Sequence, residues 1–428
     1  MNPRMTRKEF LKFLGLGACA LLWPARGGAL PRIDLDRCKD IKGHVFKGDA
    51  PPRPWKWSIE AFHYSTEEGD RVRCEVCPNA CVLSPGDRGV CRSRVNIGGK
   101  LYSLAYGNPC AVHVDPIEKK PLNHFYPGTS VFSIAAAGCN LRCLNCQNWE
   151  ISQKRPEDVR FAELFPEEVV REARKRNIPS IAYTYSEAVT FYEYTYDTAR
   201  LGREMGLRNV FVSNGYINEV PLVELAEYLD GANINLKSFD DRIYRCLNGG
   251  TLQPVLNTFK TLRDEGVWFE ITTLVVPTYV EDPDMIRRMC GWILKELGPD
   301  YPLHFTRFVP AYRLTRLPPT PVGTLEKFRE IALAEGLHYV YVGNVPGHEA
   351  AHTYCHHCGK IPHRAAGILS RASPHCEREM RILPNAHSRS LGRPVCPGVT
   401  PLVFSAKQGR IGAPSSGRRR QKSDVEKI

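Results

Sequence analysis

From residue 131 to 345 the chain alternates two hydrophobic periods. Short, β-branched and aromatic runs at 131–138, 180–185, 209–215, 232–238, 268–277, 302–310 and 338–345 predict strands. Between them stand longer stretches whose apolar positions recur every three or four residues, at 165–177, 187–205, 220–230, 251–266, 282–298 and 324–336. That spacing puts one greasy stripe along a helix. Strand and helix in strict alternation predict parallel βα units, so the fold class is α/β. Six or seven such units in a row favour a barrel or partial barrel over an open sheet. In barrels the working residues gather at the C-terminal ends of the strands. A loop with three cysteines, 139–146, follows the first predicted strand directly.

The flanks differ in character. Residues 1–30 hold Arg7 and Lys8 followed by an apolar run to Trp23, a leader that resembles a twin-arginine export signal with Lys8 in place of the second arginine. A peripheral membrane foot is the second reading. Residues 31–73 are rich in proline and lysine and predict an irregular linker. A cysteine-rich segment occupies 74–125, the barrel 126–345, and a partial zinc-ribbon-like segment 346–360. The tail, 361–428, lacks periodicity and predicts disorder or an out-of-frame translation. The formal charge of +12 sits mostly there: the tail carries +9 and the other 360 residues only +3. Basicity confined to a tail is weak ground for a nucleic-acid partner, and none specific is expected. A hydrophobic content of 43% suits a protein with a real core. Past the leader no apolar run is long enough to span a membrane.

Sixteen cysteines then change the picture. Their tight clusters suit metals better than disulfides, which points to a reducing compartment. Cys139, Cys143 and Cys146 are spaced C-x3-C-x2-C. A 4Fe–4S cluster held by three thiolates leaves one iron open to a small molecule, into which it can inject an electron. Cys74, Cys77, Cys81 and Cys91, spaced C-x2-C-x3-C-x9-C, describe a closed site for zinc or an auxiliary Fe–S cluster. Cys355 and Cys358 form a third pair, a weaker zinc candidate. Cys38, Cys110, Cys246 and Cys290 stand alone and read as packing residues. His304 reads as a core histidine, with an acid–base or relay role at the barrel mouth as the alternative. Tyr183 and Tyr185 read as packing residues.

The three-cysteine loop resembles the signature of radical SAM enzymes. The stretches VDPIEKKPLNHFYPG (114–128), GCNLRCLNCQNWEISQ (138–153), IAYTYSEAVTFYEY (181–194), NINLKSFDDRIYR (233–245) and YVGNVPGHEAAHTYCHHCGK (341–360) resemble one branch of them. That branch is the AmmeMemoRadiSam-system proteins, similar to pyruvate formate-lyase activating enzymes. The resemblance implies a partial (β/α)6 TIM-like barrel with the cluster at its mouth and S-adenosylmethionine on the open iron. Residue by residue it implies Glu187 for the methionine ammonium, Ser213, Asn214 and Gly215 along the cofactor, Lys237 toward its carboxylate, and Val276 and Pro277 near adenine. It departs at Asn235, Asn145 and Ala188, where the family more often has an acidic residue, an aromatic residue and a proline. The implied activity is reductive cleavage of S-adenosylmethionine to a 5′-deoxyadenosyl radical that takes hydrogen from an unidentified substrate, with a protein or peptide as the candidate class. The implied electron donor is of the flavodoxin or ferredoxin type. Activation of a glycyl radical enzyme is one alternative and a non-enzymatic zinc-binding adaptor the other. Both cofactor supply and electron donor favour the cytoplasm, with membrane attachment or export through the leader as alternatives.

Overall fold

The computed structural model describes residues 33–35 and 37–354. The leader, the tail and the Cys355–Cys358 pair lie outside the described residues. Six short strands come first: β1 (Ile59–Glu60), β2 (Tyr64–Glu67), β3 (Arg71–Cys74), β4 (Val82–Leu83), β5 (Arg94–Ile97) and β6 (Lys100–Ser103). They form two small antiparallel sheets, in the orders β1-β6-β5 and β2-β3-β4. The stretch expected as an irregular linker therefore holds strands from Ile59 onward. Two- to four-residue strands carry too little alternation to be read from sequence.

The main sheet has eight strands: β7 (Ala111–Pro116), β8 (Ser130–Ala135), β9 (Ser180–Tyr183), β10 (Arg208–Ser213), β11 (Gly231–Asn235), β12 (Trp268–Val275), β13 (Leu303–Arg307) and β14 (Val340–Gly343). They lie side by side in chain order, with β8 to β14 parallel and β7 antiparallel at one edge. An order without reversal sends each right-handed crossover the same way, so the helices line one face and the sheet curls into a partial barrel. Burial follows. Every residue of β9 is buried, as are the first four of β11 and of β13, as parallel strands covered on both faces require.

The predicted helices stand as α1 (Pro166–Lys175), α2 (Tyr192–Glu204), α3 (Glu219–Ala226), α4 (Leu252–Asp264), α5 (Pro283–Glu296) and α6 (Val322–Glu335). Their ends have local causes. Pro166 opens α1, and Glu168 accepts the Phe165 amide at 2.8 Å. Asp282 caps α5 through the Asp284 amide. Gly336, at φ 112°, ends α6 in a conformation a side chain would resist. No helix among the described residues is long and apolar enough to cross a membrane.

The opposite end of the barrel is covered by residues 117–128. There the buried Glu270 carboxylate accepts from the Asn123 and His124 amides at 3.0 and 2.7 Å, and lies 2.7 Å from His304 Nε2. Glu270 and His304 stand near the N-terminal ends of β12 and β13, away from the cysteine loop. His304 is thus a satisfied core histidine.

One expectation fails. Cys38 and Cys246 are not isolated packing residues but a disulfide, with Cα atoms 5.7 Å apart. A separation of 208 residues hides the pairing from any reading of spacing. Cys290 is buried and Cys110 half-buried, in keeping with packing roles.

Candidate active site

Cys139, Cys143 and Cys146 occupy the loop between β8 and a one-turn helix, Trp149–Ser152. Three outside segments shape that loop. The 244–248 turn accepts the Arg142 amide on Asn248 O at 2.7 Å and the Leu144 amide on Leu247 O at 2.9 Å. Asn148 Nδ2 donates to Tyr185 O at 2.7 Å, and Tyr185 holds a left-handed φ of 63° to present it. The Gly138 amide donates to Ile151 O at 3.0 Å. Gly138 itself has φ 109°, and a Cβ there would come within 2.5 Å of the Cys91 carbonyl oxygen. Only glycine fits.

The thiols are turned toward N–H donors. Asn248 Nδ2 lies 3.3 Å from Cys143 Sγ, the Leu141 amide 3.4 Å from Cys139 Sγ, and Asn214 Nδ2 3.8 Å from the same sulfur. Burial pushes the Cys139 thiol well up and that of Cys146 up to about 11. Such groups become thiolates when a cation compensates them.

Glu187 stands two residues beyond Tyr185 and is 1% exposed. Its Oε1 accepts from Ser213 Oγ at 2.6 Å and from the Val189 amide at 3.2 Å, and its Oε2 from the Asn214 amide at 2.8 Å. Burial raises its pKa, against the pull of those bonds and of the Lys237 charge. Asn214 thus touches both the carboxylate and the Cys139 sulfur. Gly215, at φ 70°, lets the chain turn away over Ile234. Lys237 lies just past β11, half-buried, where its charge acts on both Glu187 and Cys146. Val276 and Pro277 follow β12 on the same rim, both buried.

Cys74, Cys77, Cys81 and Cys91 line a second cavity, with Asn79, Arg94, Asn140, Val189 and Thr190. Burial pushes the Cys81 thiol up to about 12 and the Cys77 thiol well up. Arg94, which sequence reasoning missed, is buried and forms an ion pair with Glu193 in which its Nη2 donates to both carboxylate oxygens at 2.8 Å. Asn248, Asn140 and Asn148 were missed too. Nothing marks Asn248, 105 residues from Cys143, as its hydrogen-bond partner, and the partners of Asn140 and Asn148, Asn214 and Tyr185, come from other strands' ends.

A parallel partial barrel with a buried carboxylate and three clustered thiols on its C-terminal rim is the architecture of an enzyme. Residues 133–290 match the Radical SAM superfamily, so the chain carries a radical SAM domain. It is 48% identical over 302 residues to an uncharacterized protein of Methanocaldococcus jannaschii, spanning 71% of this chain and 90% of that one. It is 27% identical over 167 residues to the pyruvate formate-lyase 1-activating enzyme of Escherichia coli, 38% of this chain and 67% of that one. Among solved structures it is similar to TYW1 with a lysine-pyruvate adduct bound, at 17% identity and a TM-score of 0.39, covering 55% of this chain and 87% of the other. The family implies a 4Fe–4S cluster and S-adenosylmethionine, and it excludes the non-enzymatic adaptor.

The residues fit those groups. Three clustered thiols, those of Cys139 and Cys143 facing N–H donors, suit an anionic cluster. A fully buried carboxylate suits an ammonium. Asn145 Oδ1, two positions past Cys143, is buried without a hydrogen-bond partner and offers an acceptor to a bound molecule.

Proposed function

We propose that the chain is a radical SAM enzyme of the AmmeMemoRadiSam branch acting on a protein or peptide. Cys139, Cys143 and Cys146 hold the 4Fe–4S cluster, and Glu187 receives the methionine ammonium. Ser213 and Asn214 fix that carboxylate, Lys237 faces the methionine carboxylate, and Gly215, Val276 and Pro277 shape the remaining wall. Bound there, the two groups would supply one-electron reductive cleavage of the sulfonium and, through it, hydrogen-atom abstraction from the substrate. The electron comes from a low-potential donor of the flavodoxin or ferredoxin type. Where that donor and S-adenosylmethionine meet, in the cytoplasm, is where we place the enzyme.

The observation that carries this reading is Asn214. Its backbone holds Glu187 while its side chain reaches the Cys139 sulfur, which joins the carboxylate proposed for the methionine ammonium to a proposed cluster ligand. A macromolecular substrate is supported by the Escherichia coli relative, whose name gives another enzyme as its target. For the same reason activation of a glycyl radical enzyme is the second reading. The Cys74–Cys91 thiols hold a metal centre, zinc or iron–sulfur.

Anaerobic reconstitution with iron and sulfide, followed by dithionite and S-adenosylmethionine, should release 5′-deoxyadenosine. Cys143→Ala should abolish both the brown chromophore and that product. A cluster that is intact and reduced yet releases none refutes the proposal. A partner that gains an oxygen-sensitive glycyl signal in electron paramagnetic resonance decides for the second reading.

A further inference from the structure

We infer that the Cys38–Cys246 disulfide is a reversible latch on the three-cysteine loop, closed by oxidation and opened by a dithiol. What the latch guards, the cluster assigned to Cys139, Cys143 and Cys146, rests on the function proposed above. Cys246 stands inside the 244–248 turn, a wide π-type turn that Gly249 ends at φ 75°. Its carbonyls take the Arg142 and Leu144 amides, and its Asn248 lies 3.3 Å from the Cys143 sulfur. Whatever holds the turn therefore holds the loop.

The turn is held by a strap, residues 38–45, that has no helix or strand of its own. Phe46 anchors the end of the strap through paired backbone bonds with Arg88, at 2.8 and 2.9 Å. Between Cys38 and Phe46 the strap packs against both turn and loop. A Cβ on Gly43 would lie 2.2 Å from Val90 Cγ1 and 3.2 Å from Arg142 Cδ. One on Gly249 would lie 3.0 Å from Ile41 O. The noncovalent bonds along this path are few. Ile41 donates to Arg245 O at 3.2 Å, Asp40 stands 3.7 Å from Arg245, and Val45 adds a part-buried contact with the core. The Asp40 and Arg245 side chains are both about half exposed, and such a pair contributes little. The covalent link is the strongest tie between strap and turn.

The two sulfurs differ in access. Cys246 is 3% exposed and Cys38 half-buried, so an attacking thiolate meets the bond at Cys38. Attack there forms a mixed disulfide with Cys38 and releases the Cys246 sulfur, which takes a proton. The second thiol of the reductant then displaces Cys38, leaving two protein thiols and an oxidised dithiol. Closure runs the opposite way: a small-molecule disulfide accepts the two electrons and two protons that the two thiols give up. A low-potential electron donor works where thiols are kept reduced, so the strap is free while the enzyme turns over and clamps when the pool becomes oxidising.

The test uses the full chain without metal, with and without dithiothreitol, labelled for minutes in deuterated water. Reductant should speed exchange of the Arg142 and Leu144 amides and of residues 244–249 about tenfold or more, while β12 and β13 stay protected. Cys38→Ser should show the faster exchange already, and reductant should add nothing to it. In chain loaded with iron and sulfide, chelator-driven loss of the paramagnetic signal that S-adenosylmethionine perturbs should quicken by a similar factor on reduction. Loss at one rate in both states overturns the guarding role. Equal exchange in oxidised and reduced wild type overturns the latch itself and leaves the proposed function standing. Exchange that responds as expected, in a chain that never binds iron at the three-cysteine loop, defeats the proposed function and keeps the latch.

Discussion

Glu187→Gln probes the proposed cofactor contact at its centre. The carboxylate receives three donors on two oxygens: Ser213 Oγ and the Val189 amide on Oε1, the Asn214 amide on Oε2. A glutamine has one oxygen to offer. Whichever way it turns, its NH2 faces a backbone N–H, of Val189 or of Asn214, and one buried donor goes unsatisfied. The fold should lose about 1–3 kcal/mol. The charge lost to the methionine ammonium is a separate quantity, about 1.5–3 kcal/mol for a hydrogen bond to an ionised partner. Affinity for S-adenosylmethionine should therefore fall about 10- to 150-fold. Titration calorimetry on reconstituted protein measures this directly, and urea unfolding measures the stability term apart from it.

The pH dependence separates the two effects further. Burial raises the folded pKa of Glu187 above that of a free glutamate. Its contribution to the stability of the cofactor-free protein is complete below the unfolded pKa and is lost as pH rises through the folded one. Binding runs the other way, because the ammonium needs the carboxylate. Wild-type affinity should climb as pH rises through the raised pKa and then level, while the glutamine variant stays flat. A variant that binds within twofold of wild type, with the same pH slope, would falsify the assignment of Glu187 to the ammonium.

Three further outcomes follow from the packing. Gly138→Ala sets a Cβ 2.5 Å from the Cys91 carbonyl at φ 109°, so about 1–3 kcal/mol of stability should go, with incomplete cluster loading read by iron content. Arg94→Met strands the Glu193 carboxylate in the interior and should cost about 3–5 kcal/mol in urea unfolding, much of it recovered in Arg94→Met/Glu193→Leu. Cys38→Ser opens a closure spanning 208 residues, worth up to about 5 kcal/mol in the chain-entropy account. Its thermal midpoint should drop to that of the wild type treated with a reductant, and an unchanged midpoint would remove the disulfide from the account.

The order of strands and helices was legible because each parallel strand and its helix leave their own period, 2 or 3.6, in a continuous stretch of chain. The three cluster thiols were legible for a similar reason: one loop of eight residues, 139–146, carries all of them. Glu187, Ser213 and Lys237 were assigned by resemblance alone, since a lone acid at a helix start or a lone lysine after a strand has a blander reading. Tertiary structure decided the rest. It brought Asn214 between Glu187 and Cys139, set Asn248 on Cys143 and drove the buried Arg94 against four thiols. It also joined Cys38 to Cys246 and sent His304 to the far end of the barrel. Apart from Arg94, which follows Cys91 closely in the chain, each of these contacts spans tens to hundreds of residues. Local periodicity records which face of an element is apolar; it cannot record which distant polar group the folded chain carries to that face.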